Sequence, residues 1–293
     1  MINEFLQYLQ YEKNYSSHTV LSYRTDLCQF CLFLQIEQSL FNPDSISASQ
    51  IQQWVLFLLE NKISARTLSR KISTLKSFWH FLLSRGLTNQ NPTLKIILPK
   101  TNKALPAFFK QKEMEAALDD AFLPDNFEAL RNHTIIATFY MTGIRRSELV
   151  AIKDVDVDLS EGTIKVTGKR NKQRIIPISK QFCLKIEQYV TKRNNEINDR
   201  SNYLFVRQNG QPLYPKMVYN IITSAMSGFG SLHKKSPHVL RHTFATGLLN
   251  EGADINAVKE LLGHSSLAAT QVYTHTSFDE LHNIYKQAHP RAK

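Results

Sequence analysis

Two histidines and an arginine crowd the stretch SPHVLRHTFAT, Ser236 to Thr246. His238 and His242 are four residues apart and share a face if the segment is helical. That spacing suits a zinc site of the HExxH kind, whose glutamate stands beside the first histidine. Val239 holds that place here, and Arg241 would set a fixed cation beside the metal. His238 and Arg241, three apart, lie on one side. Ser236 is a good N-cap, and Pro237 suits the first helical position. His238 then sits on a first turn whose free N–H groups and positive dipole end favour an anion. Arginine binds planar oxyanions bidentately. The stretch points to a phosphate rather than a metal, and the bland alternative is a surface histidine on a capped helix.

Three other stretches carry similar groups. In MTGIRRSELVAI, Met141 to Ile152, an apolar helix stops at Gly143 and another opens at Ser147. Arg145 and Arg146 fall in the turn between, a place where arginines are ordinarily just solvated. In TGKRNKQR, Lys169, Arg170, Lys172 and Arg174 crowd a hairpin tip. Such a tip suits entry into a groove or delivery of one ammonium group, and a flexible charged turn is the alternative. In ELLGHSSLAATQVYTH, Glu260 to His275, His264 follows the break at Gly263. Ser265 or Ser266 then caps a short helix with Tyr273 near its end. One tyrosine among eleven is ordinarily core or surface. A helix-turn-helix over Asp254 to Tyr273 is also conceivable. Neither GxGxxG nor GxxxxGK[ST] occurs, so no nucleotide cofactor is indicated.

The elements that must hold these groups read as two regions. Residues 1–98 are helical throughout. A first apolar stripe uses Phe5, Leu6, Leu9 and Tyr11. A second helix opens at Ser16 or Ser17, a third spans 48–61, and a fourth runs from Ser64 to Gly86 through Leu68, Ile72, Leu75 and Trp79. Apolar spacing of three and four marks each as amphipathic. Cys28 and Cys31 lie in an apolar helical run, LCQFCLFL, and read as core thiols rather than metal ligands. The fourth helix also carries Arg66, Arg70, Lys71 and Lys76, with no acid between Ser64 and Arg85. A solvated basic face and a phosphate-contacting face both fit.

LPKTNKALPAFFKQKE follows, and its prolines and lysines mark 99–108 as an extended linker. Residues 109–293 read as mixed. KDVDVDL alternates like a strand, and Thr163–Thr167 and Arg174–Ile178 form a hairpin around a loop from Gly168 to Gln173. The whole chain of 293 residues carries a net charge of +11 and a pI of about 9.5. That excess suggests a polyanionic partner. No run of about 18 apolar residues and no export signal are legible, so a cytoplasmic protein without membrane insertion is expected.

The motifs, taken in order, resemble the tyrosine recombinases, or phage integrase family: TGIRRSEL, a lysine hairpin, HxxRH, LLGHSS, then a tyrosine nine residues on. The first region is similar to the helical, SAM-like core-binding domain of that family through SSHTVLSYRTDLCQFCLFL and ARTLSRKISTLKSFWHFLLSRG. The tail, ending in HPRAK, resembles the Xer group of chromosome dimer-resolving recombinases. No arm-binding module is legible ahead of the helical region, which favours the Xer type over larger integrases.

The resemblance implies a mainly α fold. A four-helix core-binding domain would precede an α+β catalytic domain with a small three-stranded antiparallel sheet and a C-terminal exchange helix. It implies catalytic roles for Arg145, Lys169, His238, Arg241, His264 and the nucleophile Tyr273, with no metal and no cofactor. Arg24, Arg66, Arg70, Lys71, Arg170 and Lys172 are expected to contact DNA. His242 and Arg146 match no catalytic position and are expected to pack or touch DNA. The expected partner is double-stranded DNA, bound by a homo- or hetero-tetramer. A second Xer recombinase and a septal DNA translocase are further candidates. The function implied is site-specific recombination through a 3′-phosphotyrosyl link, resolving chromosome dimers. A mobile-element integrase, a topoisomerase of the same chemistry and a non-catalytic DNA-binding protein are the competing readings.

Overall fold

The computed structural model describes residues 1–96, 107–119, 126–168, 171–229 and 235–263. The chain divides into two units, Met1–Ala104 and Leu105–Lys293. Most of the stretch expected to link them lies outside the described residues.

The first unit is built from α1 (Ile2–Gln7), α2 (Ser17–Phe33), α3 (Ala48–Glu60) and α4 (Ala65–Ser84). The last three start alike: Ser16, Ser47 and Ser64 accept the backbone N–H of Thr19, Gln50 and Thr67, satisfying donors that a helix start leaves free. Phe5, Phe30, Trp54, Leu75, Phe78 and Trp79 are fully or almost fully buried and form one cluster. Tyr11, expected on the first apolar stripe, is instead 71% exposed. After α1 the backbone widens into a π-helical turn over Tyr8–Glu12. At about 100° per residue the helical period itself sets Tyr11 on the side opposite Phe5, Leu6 and Leu9, so it does not belong to their stripe. Cys31 is buried, and burial, then Cys28, pushes its thiol up to about 11.

The second unit contains α5 (Gln111–Ala117), α6 (Phe127–Thr142), α7 (Arg146–Ala151), α8 (Lys180–Glu196), α9 (Pro215–Ala225), α10 (Pro237–Asn250) and α11 (Ile255–Leu262). Its sheet holds β1 (Val157–Asp158), β2 (Thr163–Thr167) and β3 (Gln173–Pro177) in antiparallel order β1-β2-β3. Ile164, Val166 and Ile176 belong to the buried core, as does α6 along nearly its whole length. The mainly α architecture with a small three-stranded sheet is as the residues and the resemblance led us to expect.

Two local expectations are corrected. The alternation of KDVDVDL yields only the two-residue β1, because Asp154–Asp156 form a 3₁₀ turn and Val155 is 83% exposed. Asp154 is drawn off the strand path by Arg193 at 2.8 Å and Arg200 at 2.7 Å. The hairpin is also tighter than expected. Thr167 pairs with Gln173, and the Gly168 N–H donates to the Lys172 carbonyl at 2.8 Å. Among the described residues, no helix is long and apolar enough to cross a membrane.

Candidate active site

α10 begins as its sequence suggests, with Pro237 at its first position after Ser236. Ser236 marks the boundary without a side-chain cap bond, and its buried Oγ has no hydrogen-bond partner among the described residues. His238 is exposed on the first turn. His242, one turn on, is exposed as well, so the packing role expected of it does not hold. The side of α10 carrying Val239, Leu240 and Phe244 is buried, and Arg241 lies among these residues with 8% exposure.

Within that burial Arg241 meets two backbone oxygens. Its Nη1 donates to the Gly143 carbonyl and its Nη2 to the Leu262 carbonyl, both at 2.6 Å. Gly143 ends α6 in the left-handed conformation, φ +59°. A side chain there would meet Leu262 at 2.8 Å and collide with the Phe244 ring. Only glycine combines this φ with that close approach, and the resulting turn presents its carbonyl to Arg241.

The same turn delivers Arg145. It is the N-cap of α7, and its backbone N–H donates to Glu148 Oε2 at 2.7 Å. A glutamate three residues after the cap reaches back in this way in a capping box. The Arg145 guanidinium adds a 2.7 Å bond from Nη1 to Glu148 Oε1. Its Nη2 donates to the Gly263 carbonyl at 2.7 Å. Glu148 is 2% exposed.

Arg174 on β3 completes the arrangement. Its Nη1 and Nη2 bond the two oxygens of Glu148 at 2.9 Å each, and its Nε donates to the Leu261 carbonyl at 2.7 Å. Three successive carbonyls, those of Leu261, Leu262 and Gly263, therefore accept from Arg174, Arg241 and Arg145. These are the last carbonyls of α11 and its left-handed cap Gly263, φ +63°. Helix C-termini lack intrahelical partners for these oxygens and carry partial negative charge. One helix end thus gathers three cations from three separate elements.

The electrostatics follow from this packing. Burial raises the Glu148 pKa, but the bonds from Arg174 and Arg145 outweigh it and hold the carboxyl below its ordinary range. Burial, then the nearby Arg145 charge, lowers Arg241 to about 10, so it remains cationic at neutral pH. Arg241 and Arg145 each retain guanidinium N–H groups beyond those given to carbonyls and carboxylate. Paired guanidiniums are able to bind a tetrahedral oxyanion. Gly168 adjoins them: a side chain there would lie 3.1 Å from Glu148 Oε1 and 3.7 Å from Arg145 Nη1.

Of the expected catalytic residues, Arg145 and Arg241 are brought together, and His238 opens the helix that carries Arg241. Lys169, His264 and Tyr273 lie outside the described residues, as do Arg170 and the expected exchange helix. Lys172 is exposed at the hairpin tip. In the first unit, Arg24, Arg66 and Arg70 are exposed. Lys71, expected to contact DNA, is instead 4% exposed and gives its ammonium to Asp26 at 3.1 Å. Glu148 and the anchoring part played by Arg174 went unread. The three-residue spacing of Arg145 and Glu148 across a helix start was the available signal.

Comparison with known proteins shows the family. Residues 107–280 match the phage integrase family, and residues 2–86 match the SAM-like N-terminal domain of phage integrases. Tyrosine recombinase XerC of Staphylococcus haemolyticus is 40% identical, over 99% of this chain and 96% of that protein. The chain belongs to the phage integrase family of tyrosine recombinases. As a member it is a DNA strand-cleaving and rejoining enzyme.

Two solved structures share the fold of this family member. The Tn1549 transposon integrase in complex with transposon right end DNA is 20% identical, with a TM-score of 0.71 over 95% of this chain and 96% of that one. The XerH recombinase bound to its difH substrate is 22% identical, with a TM-score of 0.69 over 98% and 84%.

Proposed function

We propose that the protein is a site-specific recombinase of the Xer kind that exchanges DNA strands through a covalent phosphotyrosyl intermediate and so resolves chromosome dimers. The observation that carries this reading is the arginine pair. Arg145 and Arg241, from two different helices, are locked onto the carbonyls immediately ahead of His264.

Each residue then has a role. Arg145 and Arg241 hold the non-bridging oxygens of the scissile phosphate and stabilise the charge that grows in the transition state. The Tyr273 oxygen attacks phosphorus and forms the 3′-phosphotyrosyl bond as the bond to the 5′-oxygen breaks. His238 takes the phenolic proton, Lys169 gives a proton to the departing 5′-oxygen, and His264 supports the phosphate. A phenolate leaves more readily than an alkoxide, so a 5′-hydroxyl from another strand can reverse the step and rejoin DNA. The phosphoester energy is conserved, which makes ATP unnecessary. Fixed guanidiniums supply the charge stabilisation that Mg²⁺ supplies in many phosphoryl transfers.

DNA is the proposed partner. The net charge of +11 supports this, as do the DNA complexes of the transposon integrase and of XerH. The protein would act as a tetramer on two duplexes, with the segment LHNIYKQ docking on a neighbouring subunit and with a second recombinase or a septal translocase as further partners. Truncation after Ser277 then weakens pairing of two sites while sparing binding to one.

The test is a supercoiled plasmid carrying two direct copies of a duplex selected by the protein, in EDTA and without ATP. Two resolved circles are expected. Relaxation of plasmids lacking the site would indicate a topoisomerase, and binding with no strand exchange would indicate a regulator.

A further inference from the structure

The seam between α2 and α4 holds a charge cluster with a surplus. Asp26, on α2, is completely buried. Its Oδ1 accepts from Lys71 at 3.1 Å, and its Oδ2 accepts from Thr74 Oγ1 at 2.9 Å. Lys71 is also bonded to Gln29. That buried lysine already neutralises the carboxylate, and Thr74 satisfies a further lone pair. Arg70 nonetheless donates to Asp26 Oδ2 as well, and the same Nη1 reaches Ser22 Oγ at 2.6 Å. One acid thus meets two cations, and the cluster carries a net positive charge. The excess lies toward the surface, because the Arg70 side chain is 42% exposed whereas that of Lys71 is 5%.

The geometry leaves Arg70 half used. Arginine has five N–H donors in a rigid plane. Nη1 is held by Asp26 and Ser22, while Nε and Nη2 have no hydrogen-bond partner among the described residues. The guanidinium is therefore oriented from one side and open on another. An exposed arginine without such partners loses rotamer freedom on binding, which this one has lost already. Arg66, one turn earlier, and Lys76 are exposed on the same helix and have no ion-pair partner among the described residues. A mobile cation serves a phosphate well, since a phosphate contact carries no sequence information. A fixed planar fork matters where one base edge must be told from another. The edge that matches it is guanine, whose O6 and N7 lie side by side in the major groove. α4 is 20 residues long and carries no acid, so it is suited to that groove.

We propose that Arg70, held by Asp26 and Ser22, is a sequence-reading residue that recognises a guanine in the major groove of bound DNA, while Arg66 and Lys76 contact phosphates. The proposal rests on the DNA-recombinase reading above. It assigns one determinant of the target site.

The test uses the full-length protein and a pool of random-sequence duplexes, with enrichment by wild type, Arg70→Lys, Arg70→Ala and Arg66→Ala. Arg70→Lys keeps a cation beside Asp26 and should melt like wild type, which separates reading from folding. Wild type should enrich sites with an invariant guanine at one position of each half-site and bind the substituted duplex about tenfold more weakly. Both Arg70 variants should bind the two duplexes equally. Arg66→Ala should keep the preference, bind both more weakly and show a shallower salt dependence.

The proposal is overturned if Arg70→Lys and Arg70→Ala retain the wild-type base profile, or if they weaken every duplex by the same factor. Should wild type enrich a site and cut it while these variants keep its profile, only the role of Arg70 falls. If wild type enriches no sequence at all, the recombinase reading falls with it.

Discussion

Among the described residues, each unit buries one carboxylate against two cations: Asp26 against Arg70 and Lys71 in the first, Glu148 against Arg145 and Arg174 in the second. The difference lies in what else holds the cations. Around Asp26 one cation is sealed in and the other stands half in solvent. Around Glu148 both arginines are tied a second time, to carbonyls at the end of α11. Arg241 joins them there without touching the acid. The first arrangement steadies one donor at a surface. The second fixes several donors relative to one another, as an oxyanion receptor must, because catalysis gains only from groups already in place when charge develops. A carboxylate with two cations is therefore not a signature of catalysis, whereas a shared helix end that sets the spacing is more telling.

Removing the acids should separate the two regions most strongly. Breaking a buried ion pair from one side costs about 3–5 kcal/mol. Asp26→Ala should reach that range in urea unfolding, since the buried Lys71 keeps Gln29 and the Trp54 ring but no counter-charge. Glu148→Ala should cost less, because its arginines keep the α11 carbonyls, yet it should lose strand cleavage while Asp26→Ala variants that fold still cleave bound DNA. Equal stability losses with equal cleavage would erase the distinction.

Arg241→Lys comes next. Lysine has no planar fork to span the Gly143 and Leu262 carbonyls. Single-turnover cleavage should fall about 10²–10³-fold, as for loss of one oxyanion donor, with duplex affinity nearly kept. A smaller effect belongs to the glycines. Gly86 and Gly143 share a positive φ, +67° and +59°, but only Gly143 is crowded. Gly86→Ala should cost about 1 kcal/mol of stability, at the low end for a left-handed non-glycine residue. Gly143→Ala should cost more and also slow cleavage, because its carbonyl holds Arg241.

The smallest effect is in pH. The Glu148 pKa is lowered in the folded protein, and the unfolded value is about 4.3. Its contribution is therefore present above that value and is lost as pH falls through the folded pKa. Acid melting curves of Glu148→Gln should lack that part of the slope.

What could be read beforehand follows from how far each partner lies along the chain. Arg145 and Arg241 sit in short segments whose turn chemistry, Thr-Gly-Ile and Ser-Pro-His, is local. Glu148, three residues from Arg145, is equally local, and nothing but that spacing distinguishes it from an ordinary helix-start acid. Arg174 could not be assigned, because its partners Glu148 and Leu261 are 26 and 87 residues away. A strand period reports only which face a residue takes. Lys71 carried a signal that its charge obscured. It is three residues after Leu68 and four before Leu75, both fully buried, so the helical period itself places it on the apolar side. The neutralising Asp26 lies on another helix, 45 residues away. Tyr11, two residues after Leu9, is off the apolar stripe by the helical period itself, and its residue type obscured that.

The most direct measurement is a denaturing gel of the protein with a selected duplex nicked beside the cleavage position, so that the cut strand cannot be rejoined. A covalent protein–DNA adduct should accumulate with wild type, form far more slowly with Arg241→Lys, and vanish with Tyr273→Phe. No adduct on any bound site, or one that persists in Tyr273→Phe, would contradict the assignment of Tyr273 chemistry to the arginine receptor at the end of α11.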